Sequence, residues 1–523
     1  MDNKMGIDVI EDTGEKINRR RKIPVRTKLL FSSGAFQEAT IVAAGLVTVL
    51  FYNQVLGVSP ALCGTAFLIA SVIDGITDPL VGAYSDRFRS RWGKRRHPLM
   101  LASALPVGIA FYFLYQPIEG LSEMGYFIWL SIFLVLMRIA ITFYNIPHDA
   151  LGAELTDDYT ERTSVFGYNL VAVALTSTMM SLIVFFVIFP STPEYANGLL
   201  NESRYFILAS LGAVTVVVSI LVCTIGTMDQ IPYIHNVDIS EKVDYGKFFK
   251  ELGMLMRNSS YISTCLSLLT IYAALGILGV VSTYAYIYVY GLSTEQMTLA
   301  GVMKLPGMLA ALPLLALMSR WIDKKQILMV TAAISGVFSA LPHVLKMFDW
   351  FPGNESSFLL VALFLPLFLG ALVTPVTSII IDSQLVDVAD VHEYQTGSRA
   401  EGIVFSVRSF AIKATSGVGG LLAGFGLEYI GFPENAEVGN LSTETINGLL
   451  FMNGPLYLML YLLAISFMMF YKIDKKRHAE ILSELETRRE VAALIKRDEE
   501  NPGKPASLLR DSGKASIGPA EGS

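Results

Sequence analysis

Asp74 and Asp78 stand four residues apart in SVIDGITDPLVGAYSDRF, inside a run that is otherwise apolar from about Ala61. On a helix this spacing puts the two carboxylates one turn apart on one face. Two acids that close ionise together only if something positive lies between them, so the turn is a candidate site for a cation, a proton or a basic side chain. Thr77 adds a hydroxyl oxygen nearby. Clusters of carboxylate, hydroxyl and carbonyl oxygens suit hard cations, and Asp74 and Asp78 are the candidate metal ligands if the ion is Na+. Basic groups sit at comparable depth: Arg138 in VLMRIAITFYN and Lys413 in SFAIKATSGVGG. Lys413 is followed by Thr415, Ser416, Gly417, Gly419 and Gly420, small residues that let helices approach closely. A lysine in such a place needs a carboxylate partner, and a pairing that forms in one state and breaks in another would be a coupling device. Glu38 in SSGAFQEATIV and Asn145 just before Pro147 are further polar candidates for contact with a solute.

The elements that must position these residues are membrane spans. Of 523 residues, 53% are hydrophobic and only 16% charged, whereas a soluble domain carries nearer a quarter. A window of about 19 residues picks out twelve apolar segments, at 29–52, 60–84, 98–115, 125–154, 163–189, 204–227, 259–290, 296–319, 326–346, 357–388, 400–430 and 446–471. The expected class is an all-α integral membrane protein with twelve transmembrane helices in two six-helix bundles. Lys and Arg crowd the leader, the connection RFRSRWGKRRH, the turn around Arg320, Lys324 and Lys325, and the exit KIDKKRH. The alternate loops are nearly free of them, so both termini are expected in the cytoplasm, with the chain in a plasma or bacterial inner membrane. The leader has no signal-peptide core.

The polar stretch Asp229–Arg257 divides the spans six and six. This gives a cytoplasmic segment 1–28, a bundle 29–227, a central loop 228–257, a second bundle 258–472 and a cytoplasmic tail 473–523, helical and then disordered. Basic turns follow both the second and the eighth span, and such parallel repeats point to a transporter with its solute site between the halves. The tail helix reads as solvated. Tyr284, Tyr286, Tyr288 and Tyr290 read as an interfacial aromatic belt. Cys63, Cys223 and Cys265 read as small buried hydrophobes. Asp86, Arg87, Arg162, Asp387, Asp390, Arg399 and Arg408 are expected to form salt bridges that close the inner face in the outward-open state. An intramembrane aspartyl hydrolase is a remote alternative, because its acids belong on facing helices rather than on one turn.

GAYSDRFRSRWGKRR resembles the signature loop of the major facilitator superfamily, through Gly82, Asp86, Arg87, Gly93, Lys94, Arg95 and Arg96. More narrowly, DGITDP, FYNIPHDALGAELTDDYTERT and DVADVHEYQTGSRAEGIVFSVRSFAIK resemble the glycoside–pentoside–hexuronide:cation symporters, the group of the melibiose permease. The resemblance implies alternating-access symport of a sugar or glycoside with Na+ or H+, and no enzyme activity. It implies a cation site at Asp74, Asp78 and Thr142, with Thr77 in place of an asparagine, and a coupling lysine at Lys413. The permease's acidic sugar ligands fall at Ala39, beside Glu38, and at Asn145, so a galactoside is not bound in the same way. A related branch implies an alternative, cation-coupled movement of an amphiphile such as a lysolipid. The expected partners are a small solute and membrane lipid, with no nucleic acid and no cofactor beyond the coupling ion, and the protein is expected to be a monomer.

Overall fold

Polar caps punctuate the apolar runs. Ser59, Ser122, Asp158, Asn258 and Ser442 each accept a backbone N–H at a helix start, and Ser293 with Gln296 forms a reciprocal capping box. These side chains satisfy amide groups that the first helical turn leaves unpaired. The computed structural model describes residues 9–10, 16–17, 22–88, 96–156, 158–233, 245–397 and 401–500.

Twelve helices among the described residues are long and apolar enough to cross a membrane. They are α1 (Val25–Val55), α2 (Pro60–Asp86), α3 (His97–Tyr115), α4 (Glu123–Glu154), α5 (Thr160–Ile188), α6 (Ser203–Gly226), α7 (Ser259–Val289), α8 (Thr294–Met318), α9 (Lys324–Met347), α10 (Leu359–Thr396), α11 (Ile403–Tyr429) and α12 (Thr443–Met468). Helices α1–α6 pack on one another, as do α7–α12, and the two bundles meet along α2 with α11, α5 with α8, and α1 with α7. The expected spans agree to a few residues except at α10, which runs on to Thr396 instead of ending near 388.

At the end away from the basic loops, α1, α5 and α7 finish in π-helical turns at Phe51–Val55, Ile183–Ile188 and Ala285–Val289. Single π-turns often mark functional positions, and here they surround a seal between the bundles. The Tyr284 hydroxyl donates to Asn53 Oδ1 at 3.0 Å and the Tyr288 hydroxyl to Gln54 Oε1 at 2.8 Å. Gln54 Nε2 donates to the Pro433 carbonyl at 2.9 Å, and the Ala436 amide donates back to Gln54 Oε1 at 2.8 Å. The aromatic-belt expectation is therefore wrong. All four tyrosines are buried, and three of their hydroxyls have partners inside the protein: Tyr290 Oη lies 3.0 Å from His343 Nδ1, beside the bonds of Tyr284 and Tyr288.

The tail also departs from expectation. Helix α13 (Lys475–Glu500) docks on the C-terminal, acidic end of α10 rather than standing in solvent. Ile481 and Leu485 bury against Val391, His478 Nε2 lies 3.0 Å from Asp390, and Arg489 pairs with Glu393 at 2.8 Å. Two leucine-sized contacts set in a charged helix are too sparse a stripe to read as a docking face from periodicity alone. The segment expected to be disordered after it lies outside the described residues.

Candidate functional site

The site is built by two stripes that fit face to face. On α2, Pro60, Gly64, Phe67, Ser71, Asp74 and Asp78 recur at intervals of three and four, so they share one side. On α11, running the other way, Lys413, Gly417, Gly420 and Gly424 do the same. A Cβ added at Gly424 would lie 2.2 Å from the Pro60 carbonyl oxygen, one at Gly64 2.6 Å from the Gly420 carbonyl oxygen, and one at Gly417 2.3 Å from Ser71 Cβ. Only glycine lets the helices come this near. The contact continues on the far side of α11, where a Cβ at Gly276 of α7 would meet the Thr415 carbonyl oxygen at 2.3 Å.

The stripe ends at the acids. Lys413 forms an ion pair with Asp78, and its Nζ lies 3.5 Å from Asp74 Oδ2. The Thr142 hydroxyl on α4 is 3.2 Å from Asp74 Oδ1, 3.0 Å from Asp78 Oδ1 and 3.0 Å from the Arg138 carbonyl oxygen. With a single proton it can donate to one of these at a time. Arg138 is the remaining charge near Asp74, so two acids and two bases share the locus. Thr77 is turned differently: its hydroxyl donates to the Asp74 backbone carbonyl at 3.2 Å. Thr142, which no spacing rule picks out, is the hydroxyl that reaches both carboxylates.

A second polar group lies on α1 and α4. Gln37 Nε2 donates to Asn145 Oδ1 at 3.1 Å, and Gln37 takes its place because its backbone amide donates to Ser219 Oγ. Asn145 and Asp149, one turn apart, are exposed, as is Glu38. Glu38 lies within electrostatic range of Asp149 and His148. His148 is fixed by stacking on Phe31 at 4.2 Å and by a 3.1 Å contact of Nε2 with the Phe31 carbonyl oxygen. Asp149, which follows His148 and Pro147 in the sequence, joins this group.

The gate candidates are held within their own halves in the ion pairs seen among the described residues. Asp86 pairs with Arg96 at 2.7 Å, and Arg96 pairs also with Glu154 at 2.8 Å. Arg162 donates to the Thr156 carbonyl, Arg408 pairs with Asp382, Asp387 pairs with Lys324 at 2.6 Å, and Asp390 meets His478 of the tail. The Arg87 side chain and Arg399 lie outside the described residues. Among the described residues no three His, Cys, Asp or Glu side chains gather as a metal cluster.

Comparison with known proteins decides the family. The sequence profile described as MFS/sugar transport protein matches residues 31–475. The chain belongs to this family. This MFS sugar-transport family protein is an integral membrane transporter, not an enzyme. It is 28% identical over 409 residues to an inner membrane symporter of Escherichia coli (strain K12), covering 77% of this chain and 82% of that one. It is 24% identical over 426 residues to an isoprimeverose transporter of Lactiplantibacillus pentosus, with 81% and 84% covered. To a glucuronide carrier protein homolog of Escherichia coli (strain K12) it is 24% identical over 470 residues, with 89% and 96% covered. The crystal structure of a D-xylose-proton symporter matches with a TM-score of 0.58 at 14% identity, over 85% of this chain and 97% of that one, which establishes the shared fold.

Proposed function

We propose that this family member is a cation-coupled symporter that moves a sugar or glycoside by alternating access, with Asp74, Asp78 and Thr142 as the cation site. The observation that carries the reading is Lys413 seated on both acids across the bundle interface. Two carboxylates on one turn need positive charge in every state of the cycle. Here α11 supplies it, while the bundles are sealed at the end away from the basic loops. This is the inward-facing, ion-released state in the proposed cycle, with both termini in the cytoplasm. When α11 moves off α2, the acids lose the ammonium and recruit Na+ or H+ from outside. Their oxygens, with the Thr142 hydroxyl and the Arg138 carbonyl, are the donors a hard cation takes. A proton on either acid meets the same electrostatic need.

Saccharide as the solute is supported by the names of the relatives, a symporter, an isoprimeverose transporter and a glucuronide carrier homolog. It is supported also by Glu38, Asn145 and Asp149, since carboxylates and amides are strong partners for sugar hydroxyls. The amphiphile alternative has no such support. The test is uptake of labelled sugars into proteoliposomes with an inward Na+ or proton gradient. Accumulation above equilibrium with either gradient is expected, and equilibration alone under both would overturn the reading.

A further inference from the structure

A cavity of about 510 Å³ lies between α3 and α4, two helices whose main contacts are all inside the first bundle. It stands apart from the interface where α2 meets α11. Small side chains make its floor: Ala102, Ser103, Pro106 and Ala110 on α3, with Ala140 on α4. Such residues often let another helix come near, and another face of α3 shows that use. There a Cβ at Gly108 would lie 2.4 Å from Val217 Cγ2 of α6, and one at Gly212 of α6 would lie 2.2 Å from Phe111 Cε1. On the cavity side the surface is open. Ala102, Pro106, Ile109 and Leu136 are exposed, so the cavity forms a groove that opens sideways. Leu101, Leu105 and Ile132 are exposed beside it, and apolar side chains on the outside of a span face hydrocarbon. The groove is therefore continuous with the lipid-facing surface of the bundle.

Shape and chemistry choose the occupant. From Leu99 to Ala110 the groove follows α3 for about 16 Å, at about 1.5 Å per residue. One leaflet, half of a hydrocarbon core about 30 Å thick, has the same depth. The groove begins in the first turn of α3, at the basic-loop end. Its far end is closed by aromatic rings, with Phe133 centred 4.6 Å from Trp129 and 5.3 Å from Phe113. The polar side chain of the lining is turned back on its own helix, since Ser103 Oγ donates to the Met100 carbonyl at 2.7 Å. Walls of this kind suit hydrocarbon alone. Ile109 and Leu136 at the mouth hold a neighbouring helix, about 10 Å across, off the floor. An extended chain passes between them.

We propose that this groove binds one fatty acyl chain of a phospholipid from the leaflet at the basic-loop end, as a resident ligand and not as cargo. Within a bilayer such a chain leaves one apolar medium for another. It is retained because α3 and α4 touch it on several sides, where a flat helix face would touch it on one. The chain backs the candidate cation site. Ile139, Ala140 and Phe143 line the groove on the same stretch of α4 that carries Arg138 and Thr142. Phe143 also meets Tyr84 of α2 edge-on at 6.4 Å, so a filled groove supports the packing of α4 on α2. The groove serves in this way whatever solute the protein carries.

The experiment reconstitutes the full chain in vesicles of phosphatidylethanolamine and phosphatidylglycerol. These carry a trace of phosphatidylglycerol whose palmitoyl chain bears a diazirine near its middle. After illumination the labelled residues are mapped by mass spectrometry. Val330 and Val337, exposed on α9, report ordinary contact with lipid. Labelling along the groove is expected to exceed theirs by about tenfold. Ala140→Leu fills the floor and is expected to bring groove labelling down to the α9 level, with Ala102→Leu doing so in part. In detergent, dipalmitoyl phosphatidylglycerol is expected to compete with the probe for the wild-type groove and the dihexanoyl lipid is not, which reads the same site should the variants fail to fold. Labelling spread evenly over α3, α4 and α9 overturns the proposal, because the groove then holds bulk lipid only. So does undiminished groove labelling in a folded Ala140→Leu protein. Cross-linking between copies through a cysteine placed at Leu136 overturns it in favour of a helix contact between two molecules.

Discussion

Asp78 bears the closer of the two contacts with Lys413 and the shorter one with Thr142. In Asp78→Asn the turn keeps its shape and one acid, but Lys413 alone then neutralises Asp74 and no second charge calls for a cation. Gradient-driven accumulation should be lost while exchange of unlabelled for labelled solute persists. Undiminished uphill uptake by this variant would show that the turn is not the ion site. At this scale the sequence is most readable where charge is out of place. Asp74, Asp78 and Lys413 are conspicuous because ionised groups are rare in apolar runs. Thr142 is not, because a threonine is at home in a helix and returns its hydroxyl to the backbone as easily as to a ligand.

Helix by helix, periodicity gives the twelve spans because a bilayer demands about twenty apolar residues from each. It gives the glycine face of α11 as well, though not its partner, since small residues say that something comes near without saying what. The fit of that face on α2 is what brings Lys413 to the acids, and it is sensitive to one carbon. Gly417→Val puts branched carbons where Ser71 already stands. Overpacking of this kind costs about 1–3 kcal/mol, and here it weighs on the state in which α2 and α11 touch. The expected outcome is a lower melting temperature, together with greater reactivity of a cysteine introduced at Ser71 toward a membrane-permeant thiol reagent. Unchanged reactivity would mean that the helices do not close on this stripe. The π-turns and the docked tail had no legible signal: a π-turn inserts a residue without altering composition, and among its described side chains α13 buries Ile481 and Leu485 in a charged helix.

Across the whole molecule, the seal and the acid pair are two ends of the proposed cycle. The seal joins α1 to α7 and to the loop after α11 through Gln54, which alone makes hydrogen bonds to Tyr288, Pro433 and Ala436. A net worth of about 1 kcal/mol for each lost bond makes Gln54→Ala shift the balance toward the outward-facing state by about tenfold or more. Spectroscopic distances between labels placed on Ser191 and Glu437, residues at the sealed end, should lengthen in the variant. Distances that do not move would place the closing force elsewhere. The layout in two bundles was plain from the run of spans and the polar centre. Which end is shut was not, because the seal is made of amides and phenols that read equally well as an interfacial belt.

Ion binding by calorimetry on the purified protein reaches the core of this account, in which a cation and the Lys413 ammonium take turns on the same two acids. Wild type should bind Na+, or take up protons between two buffers of different ionisation heat. Lys413→Gln should bind the same ion about tenfold more tightly, because its competitor is gone, and Asp78→Asn should bind none. An affinity unchanged by Lys413→Gln, or full binding by Asp78→Asn, would contradict it.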